Sequence, residues 1–310
     1  MKKRFFGVFL VFSLFVVQVF SLTIGVTQIV EHPALDAVFE GLKEELSDMD
    51  LVYDHQIAQG SFQNATQIAK KFNNDSDLIV AIATPSAQAA ANSIKNKPIV
   101  FTAVTDPVAA GLIPKMGLNS GNIVGISDML PVELHMNLIK KYFPEAKNIG
   151  LLFNTGEINS KKIVELANKY SEELGLNTIE ISGSNINELI TGINSRSDEV
   201  DIFYLFTDNL VASSIELLSE KMKEKKIPVI SGDIDIAKAS SVIGFGFDYK
   251  SLGIETGKIV RRIINGEKIS EIESTFMPGN ALLLYLNLER AKAFNLNIPD
   301  ELIDNADIIE

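Results

Sequence analysis

The chain has 310 residues, 46% of them hydrophobic and 22% charged, which excludes a disordered polymer and suggests two globular domains. Lys and Arg number 28 against 40 Asp and Glu, a net charge of −12, so there is no basic face of the kind a nucleic-acid binder needs. Cysteine is absent, which removes thiolate catalysis, disulfides, Cys-ligated zinc and a lipidated cysteine.

Lys2, Lys3 and Arg4 precede a largely apolar run from Phe5 to Phe20, and Val19-Phe20-Ser21 offers a small-residue cleavage pattern. The run is shorter than the about 20 residues that span a bilayer. Residues 1–21 therefore read as a secretory signal. The expectation is an exported, periplasmic protein without a lipid anchor, since no cysteine could carry one.

Strand and helix patterns then alternate. Strands are expected at Leu22–Thr27, Leu51–Gln56, Leu78–Ala83, Pro98–Phe101 and Asn122–Ile126. Between and after them, Pro33–Leu46, Phe62–Phe72, Pro85–Ser93 and Val132–Tyr142 have helical spacing. The alternation restarts with strands at Ile149–Phe153, Leu176–Ile181, Ile202–Phe206, Ile227–Ile230, Ser241–Phe247 and, last, Ala281–Leu286. Helices are expected at Lys161–Leu174, Ile186–Ile193, Val211–Lys223 and Leu252–Asn265. Such alternation predicts an α/β protein of two doubly wound lobes with parallel sheets.

In open parallel sheets the ligand lies beyond the carboxyl ends of the strands. The loops there carry Thr27, Gln28, Glu31, His32, Thr84, Ser86, Thr102, Thr105, Asp106, Ser127 and Asp128 in the first half. The second half offers Asn154, Glu157, Asn159, Ser182, Ser184, Thr207, Asp208, Asn209, Ser231, Asp233, Asp235, Asp248 and Tyr249. Hydroxyls, amides and carboxylates dominate, and Lys and Arg are missing. Carboxylates attract an ammonium group, while hydroxyls at a helix start such as Thr84-Pro85-Ser86 receive an anion. A small zwitterion meets both conditions, and phosphates and nucleotides fit worse. Each Asp or Ser is equally at home as a plain helix cap, and Phe153, Phe206 and Phe247 as core. Tyr249 could stack on a ligand or pack the next helix.

Enzyme signatures are missing. There is no G-x-S-x-G, no P-loop and no H-E-x-x-H, and His32, His55 and His135 are not spaced to share a metal. Gly244-Phe245-Gly246 starts like a dinucleotide fingerprint but reads as strand, with Tyr249 at the third glycine position. Paired carboxylates doing acid–base work remain the enzyme alternative.

Six segments, in order, resemble the ABC transporter substrate-binding family of tryptophan-type binding proteins. They are Gly25 to Asp36 (GVTQIVEHPALD), Ala83 to Ala89 (ATPSAQA), Phe101 to Pro107 (FTAVTDP), Gly125 to Pro131 (GISDMLP), Thr207-Asp208-Asn209, and Gly246 to Tyr249 with Leu252-Gly253. Asn154-Thr155-Gly156-Glu157 departs from the usual Asn-Pro-Gly-Glu turn, and the Ser231 to Asp235 stretch is one where the family varies. The resemblance implies a type I periplasmic-binding-protein fold with three crossovers, about residues 22–128 and 248–275 in one lobe and 129–247 and 276–310 in the other. It also implies hinge closure on an aromatic amino acid (Trp, Phe or Tyr), delivered to ABC permease subunits in the inner membrane, with a monomer the simplest state. Neither cofactor nor metal is implied. Ser86 and Thr105, with the first N–H groups of the helix at Pro85, would take the carboxylate, and Asp128 or Asp208 the ammonium. Gln28 and Glu31 would line the entrance. Asn154, Asn159, Asn209 and Asp233 would close from the second lobe, and Thr84, Asp106 and Asp248 complete the candidate set. A sugar or nucleoside receptor of the same fold is the alternative ligand class, disfavoured by the absence of Trp.

Overall fold

The structure, a computed structural model, describes residues 21–119 and 121–310. The signal read over residues 1–21 lies, Ser21 apart, outside the described residues. Among the described residues no helix is long and apolar enough to cross a membrane.

The first alternation consists of β1 (Leu22–Gln28), α1 (Pro33–Glu45), β2 (Leu51–Ile57), α2 (Phe62–Asp75), β3 (Leu78–Ile82), α3 (Thr84–Ser93), β4 (Ile99–Thr102) and β5 (Ile123–Ser127). The second consists of α4 (Val132–Tyr142), β6 (Asn148–Asn154), α5 (Ile158–Glu173), β7 (Asn177–Gly183), α6 (Ile186–Arg196), β8 (Ile202–Leu205), α7 (Asn209–Ser213), α8 (Ile215–Glu224), β9 (Val229–Ser231), α9 (Ile234–Ser240) and β10 (Ile243–Phe247). The chain ends with α10 (Tyr249–Ile264), β11 (Thr275–Phe276), β12 (Leu282–Leu286), α11 (Leu288–Ala293), α12 (Asp300–Asp304) and β13 (Ile308–Ile309).

These strands form two sheets, ordered β11-β5-β4-β3-β1-β2 and β13-β12-β10-β9-β8-β6-β7. The central strands are apolar throughout because helices cover both faces: every residue of β3 and of β8 is buried. Both sheets are wound alike. The order 2-1-3-4-5 of the first recurs as 7-6-8-9-10 in the second. In each, the winding direction reverses beside the first strand, between β1 and β3 and between β6 and β8. Such reversal points leave a crevice at the strand ends where ligands bind.

The chain passes between the sheets three times, after β5, at Asp248 and after β11. After the second passage α10 returns to lie on α1. The two helices touch backbone to backbone, because a Cβ at Gly41 would collide with the Lys250 carbonyl and one at Gly253 with the Val38 carbonyl.

Several elements differ from the sequence expectation. Val211–Lys223 is two helices, broken at Ser214. The stretch from Ser231 to Ser240 holds α9, started by Asp233, whose carboxylate accepts the N–H groups of Asp235 and Ile236 at 2.8 and 2.9 Å. The second sheet is not wholly parallel, since β10 and β12 pair antiparallel. Phe276, assigned by sequence to the second lobe, pairs with Ser127 in the first sheet. The strand Ile308–Ile309 closes the far edge after Ala281–Leu286. Two-residue strands are held by backbone pairing alone and carry no periodicity to read.

Candidate functional site

The carboxyl ends of the two sheets face each other across one cavity. As it stands the cavity is narrow, with about 20 Å3 of free volume, room for about one water molecule, and it is partly open at the rim.

The first-sheet wall is built from three strand ends. β3 turns into α3 without a spacer, through Ala83 in a left-handed conformation (φ 75°). Ala103, just past β4, has φ 51° and lines the cavity. Non-glycine residues in this region are held there by their surroundings, and such strain gathers at ligand sites. The turn at Ala83 delivers Thr84 and Ser86 to the first turn of α3, where N–H groups lack intrahelical acceptors. The hydroxyls of both are buried without a partner. Past β5, Asp128 Oδ2 accepts the Tyr249 hydroxyl at 2.9 Å, and its Oδ1 is buried without a partner. Burial pushes the Asp128 carboxyl up to about 6, with the hydrogen bond from Tyr249 opposing. Desolvation first, and the Asp128 carboxylate second, holds the Tyr249 phenol well above its ordinary range.

The second-sheet wall is amide-rich. Asn159, at the start of α5, donates through Nδ2 to Glu157 Oε2 at 2.9 Å and to the Thr207 carbonyl at 3.0 Å, and its Oδ1 is buried without a partner. Asp208 caps α7. One oxygen accepts Val211 N at 2.9 Å, and the other accepts Asn154 N and Ser160 Oγ, both at 2.6 Å. Asp233 faces the cavity from the start of α9, its carboxyl raised to about 7 by burial and then by the charge of Asp235.

The walls also touch each other. Thr105 Oγ1 and Thr207 Oγ1 are 3.3 Å apart. His32, before α1, faces Asn209 of the other wall, and burial holds the imidazole down at about 4, so it is neutral at physiological pH. Leu35, Ala103 and Ala212 supply apolar surface. Among the described residues, no Lys or Arg lines the cavity.

Of the residues singled out from sequence, Thr84, Thr105, Asp128, Asn159, Asp208, Asn209 and Asp233 line the cavity. Six do not. Gln28 is a buried strut, donating to the Val30 carbonyl and Asp36 and pairing with His55. Glu31 is exposed. Ser86 sits deeper in α3, outside the lining. Asp106 caps the turn at Val108 and Ala109, and Asp248 caps α10. Asn154 is turned to Glu157 and Gly156. Asp208 lines the cavity with both oxygens committed inside its own wall, which separates it from Asp128. Residues not singled out are His32, Leu35, Ala103, Thr207, Ala212 and Tyr249. His32, Thr207 and Tyr249 stood in strand-end loops, so position alone flagged them. The alanines and Leu35 carry no chemical signal in sequence.

A buried cavity at two facing reversal points, with acceptor oxygens and free hydroxyls but no cation, defines a two-lobed binding protein for a small polar molecule. The chain belongs to the ABC transporter substrate-binding protein family, whose model matches residues 23–309. A tyrosine-binding protein of Clostridioides difficile is 35% identical over 280 residues, 88% of this chain and 81% of that protein. A solved ABC domain in complex with L-Trp from Streptococcus pneumonia is 27% identical, covering 94% of this chain and all of that one, with a TM-score of 0.89. A ligand-free, open substrate-binding protein with adhesive properties from Clostridium difficile is 37% identical, covering 93% and 99%, with a TM-score of 0.70. The fold is that of type I periplasmic binding proteins. Membership in this family makes the chain an extracytoplasmic component of a transporter, with a binding role.

Proposed function

We propose that the chain is the periplasmic receptor of an ABC importer and carries an aromatic L-amino acid, tyrosine or tryptophan foremost, to its permease. The observation that carries this reading is the placement of the partnerless buried atoms. Asp128 Oδ1 and Asn159 Oδ1, from opposite walls, are acceptors for an ammonium group. Thr84 Oγ1, with the Ser86 hydroxyl and the first N–H groups of α3 behind it, is a donor set for a carboxylate. Leu35, Ala103 and Ala212 accept a ring. Relatives that bind tyrosine and L-Trp support the ligand class. A sugar would leave the acidic wall without a cation.

The structure has the closed arrangement in this reading. It superposes better on the L-Trp complex than on the ligand-free, open relative, although the latter is closer in sequence. Lobes of about residues 22–128 with 248–276, and 129–247 with 277–310, would hinge at the three passages between sheets, a motion known for periplasmic binding proteins. Closure expels water and strengthens each charge-assisted bond inside. The receptor acts as a monomer that presents both lobes to the permease, after removal of a signal ending near Ser21.

A thermal-shift screen of the mature chain against amino acids, sugars and nucleosides tests the proposal. Tyrosine or tryptophan should raise the melting temperature with concentration, as mass action requires, and be recovered unchanged. Stabilisation by a sugar alone, or turnover of the bound molecule, would overturn it.

A further inference from the structure

Glu157 does not line this cavity; it lines the neighbouring, more open cleft together with Asn154, Gly156 and Asn209. It directly precedes α5, yet its side chain caps nothing in that helix. Its carboxylate instead gathers three amides from two loops. Oε1 accepts Asn154 Nδ2 at 3.1 Å. Oε2 accepts Asn159 Nδ2 at 2.9 Å, and both the main-chain N (3.3 Å) and Nδ2 of Asn209.

Burial, and then the Asp208 charge, raises the Glu157 carboxyl to about 7, while the hydrogen bonds from Asn159 and Asn209 favour its ionised form, which can only accept. Each amide must therefore turn its NH2 to Glu157 and its carbonyl oxygen away. In Asn159 the second N–H goes to the Thr207 carbonyl, so the atom left for the cavity is Oδ1, which is buried and has no partner. In Asn209 the carbonyl is left facing His32. The wall thus offers lone pairs, where freely turning amides would offer N–H groups as readily.

We propose that Glu157 is a positioning residue: by orienting the Asn159 amide, with Asn209 held beside it, it makes the second-sheet wall an acceptor for the ammonium group of the ligand. The inference rests on the amino-acid receptor reading and adds to it a residue outside the lining of the cavity. Its effect must therefore appear in ammonium recognition and not in ligand binding at large.

The discriminating variant is Glu157→Asp. Aspartate is a good helix N-cap and keeps the charge at the start of α5, but it draws the carboxylate back by one methylene from the amides. Titration calorimetry of the mature chain would compare L-tyrosine with 3-(4-hydroxyphenyl)propanoate, and L-tryptophan with indole-3-propanoate, each pair differing by the ammonium group. Glu157→Asp should weaken the amino acid by about 10-fold or more, leave the analogue within about 3-fold, and melt no lower than wild type. Glu157→Gln, whose amide oxygen can replace Oε2, should keep amino-acid affinity within about 3-fold. Equal loss for both members of a pair, or no loss in Glu157→Asp, would overturn the inference. So would a Glu157→Gln affinity weakened more than 10-fold, which remains readable should Glu157→Asp fail to fold. A wild type that binds neither amino acid would instead remove the receptor reading itself.

Discussion

Asp128 and Asp208 look alike in the sequence, each following an apolar strand and each a candidate for the ammonium. The structure separates them by hydrogen-bond accounting. Asp208 spends both oxygens on Val211, Asn154 and Ser160, whereas Asp128 keeps Oδ1 free inside the cavity. Losing a buried charge partner costs about 2–5 kcal/mol. Asp128→Ala should therefore weaken amino-acid binding by about 30-fold or more, measured by calorimetry. Unchanged affinity would remove Asp128 from the site. The sequence could place Thr84, Thr105, Asp128 and Asn159 at the cavity because each follows the carboxyl end of a parallel strand. Which of them stay unpaired was not legible, because the partners come from loops far away in the chain.

At the level of elements, α10 against α1 is the contact on which the first lobe's cover depends. Gly41 and Gly253 let the two backbones meet, and Asp248 starts α10 by accepting the N–H groups of Lys250 and Ser251. The helix then presents Tyr249 to Asp128, so packing on the outside of the lobe sets the geometry of the site. Gly253→Ala should gain helix propensity but force the helices apart. Overpacking of this kind costs about 1–3 kcal/mol against about 1 kcal/mol regained from propensity. The net expectation is a lower midpoint in thermal or urea unfolding, and a more stable variant would show that the contact is not tight. The helix α9 shows the limit of pattern reading. Seven residues are too few for a period, and Ser-Gly-Asp reads as a turn. Asp233 nonetheless starts a helix there, because its carboxylate satisfies two first-turn N–H groups.

The proposed closure of the whole molecule would bury charge, and that charge would oppose closing without a ligand. Asp128 at about 6 and Asp233 at about 7 face each other, with the Tyr249 hydroxyl and Thr105 beside Asp128. A carboxyl with a raised value in the closed state binds more protons there than when hydrated in an open cleft. Acid therefore favours closing, and this contribution fades as pH rises from about 4 through 6 to 7. His32 has the opposite sign, being neutral when buried and charged when exposed to acid. Glu157 and Asp208, raised by burial as well, act in the same direction as Asp128 and Asp233, so against one imidazole the ligand-free radius of gyration from X-ray scattering should shrink between pH 7.5 and 5. Asp128→Asn, neutral at every pH, should be more compact than wild type at pH 7.5 without ligand. An expanded Asp128→Asn would mean that desolvation of Asp128 does not hold the lobes apart.

The sequence by itself determined the two alternations of strand and helix, the strand-end loops in which a site must lie, and the acidic, cation-free character of those loops. These are properties of neighbouring residues, set by apolar periodicity and by local charge. The tertiary structure alone decided which strands share a sheet, that β12 returns antiparallel, and that His32 and Tyr249 join the wall while Gln28 and Glu31 stay outside it. It also decided that Glu157 orients amides from two loops. Those outcomes depend on hydrogen bonds and burial between residues distant along the chain, which local pattern does not encode.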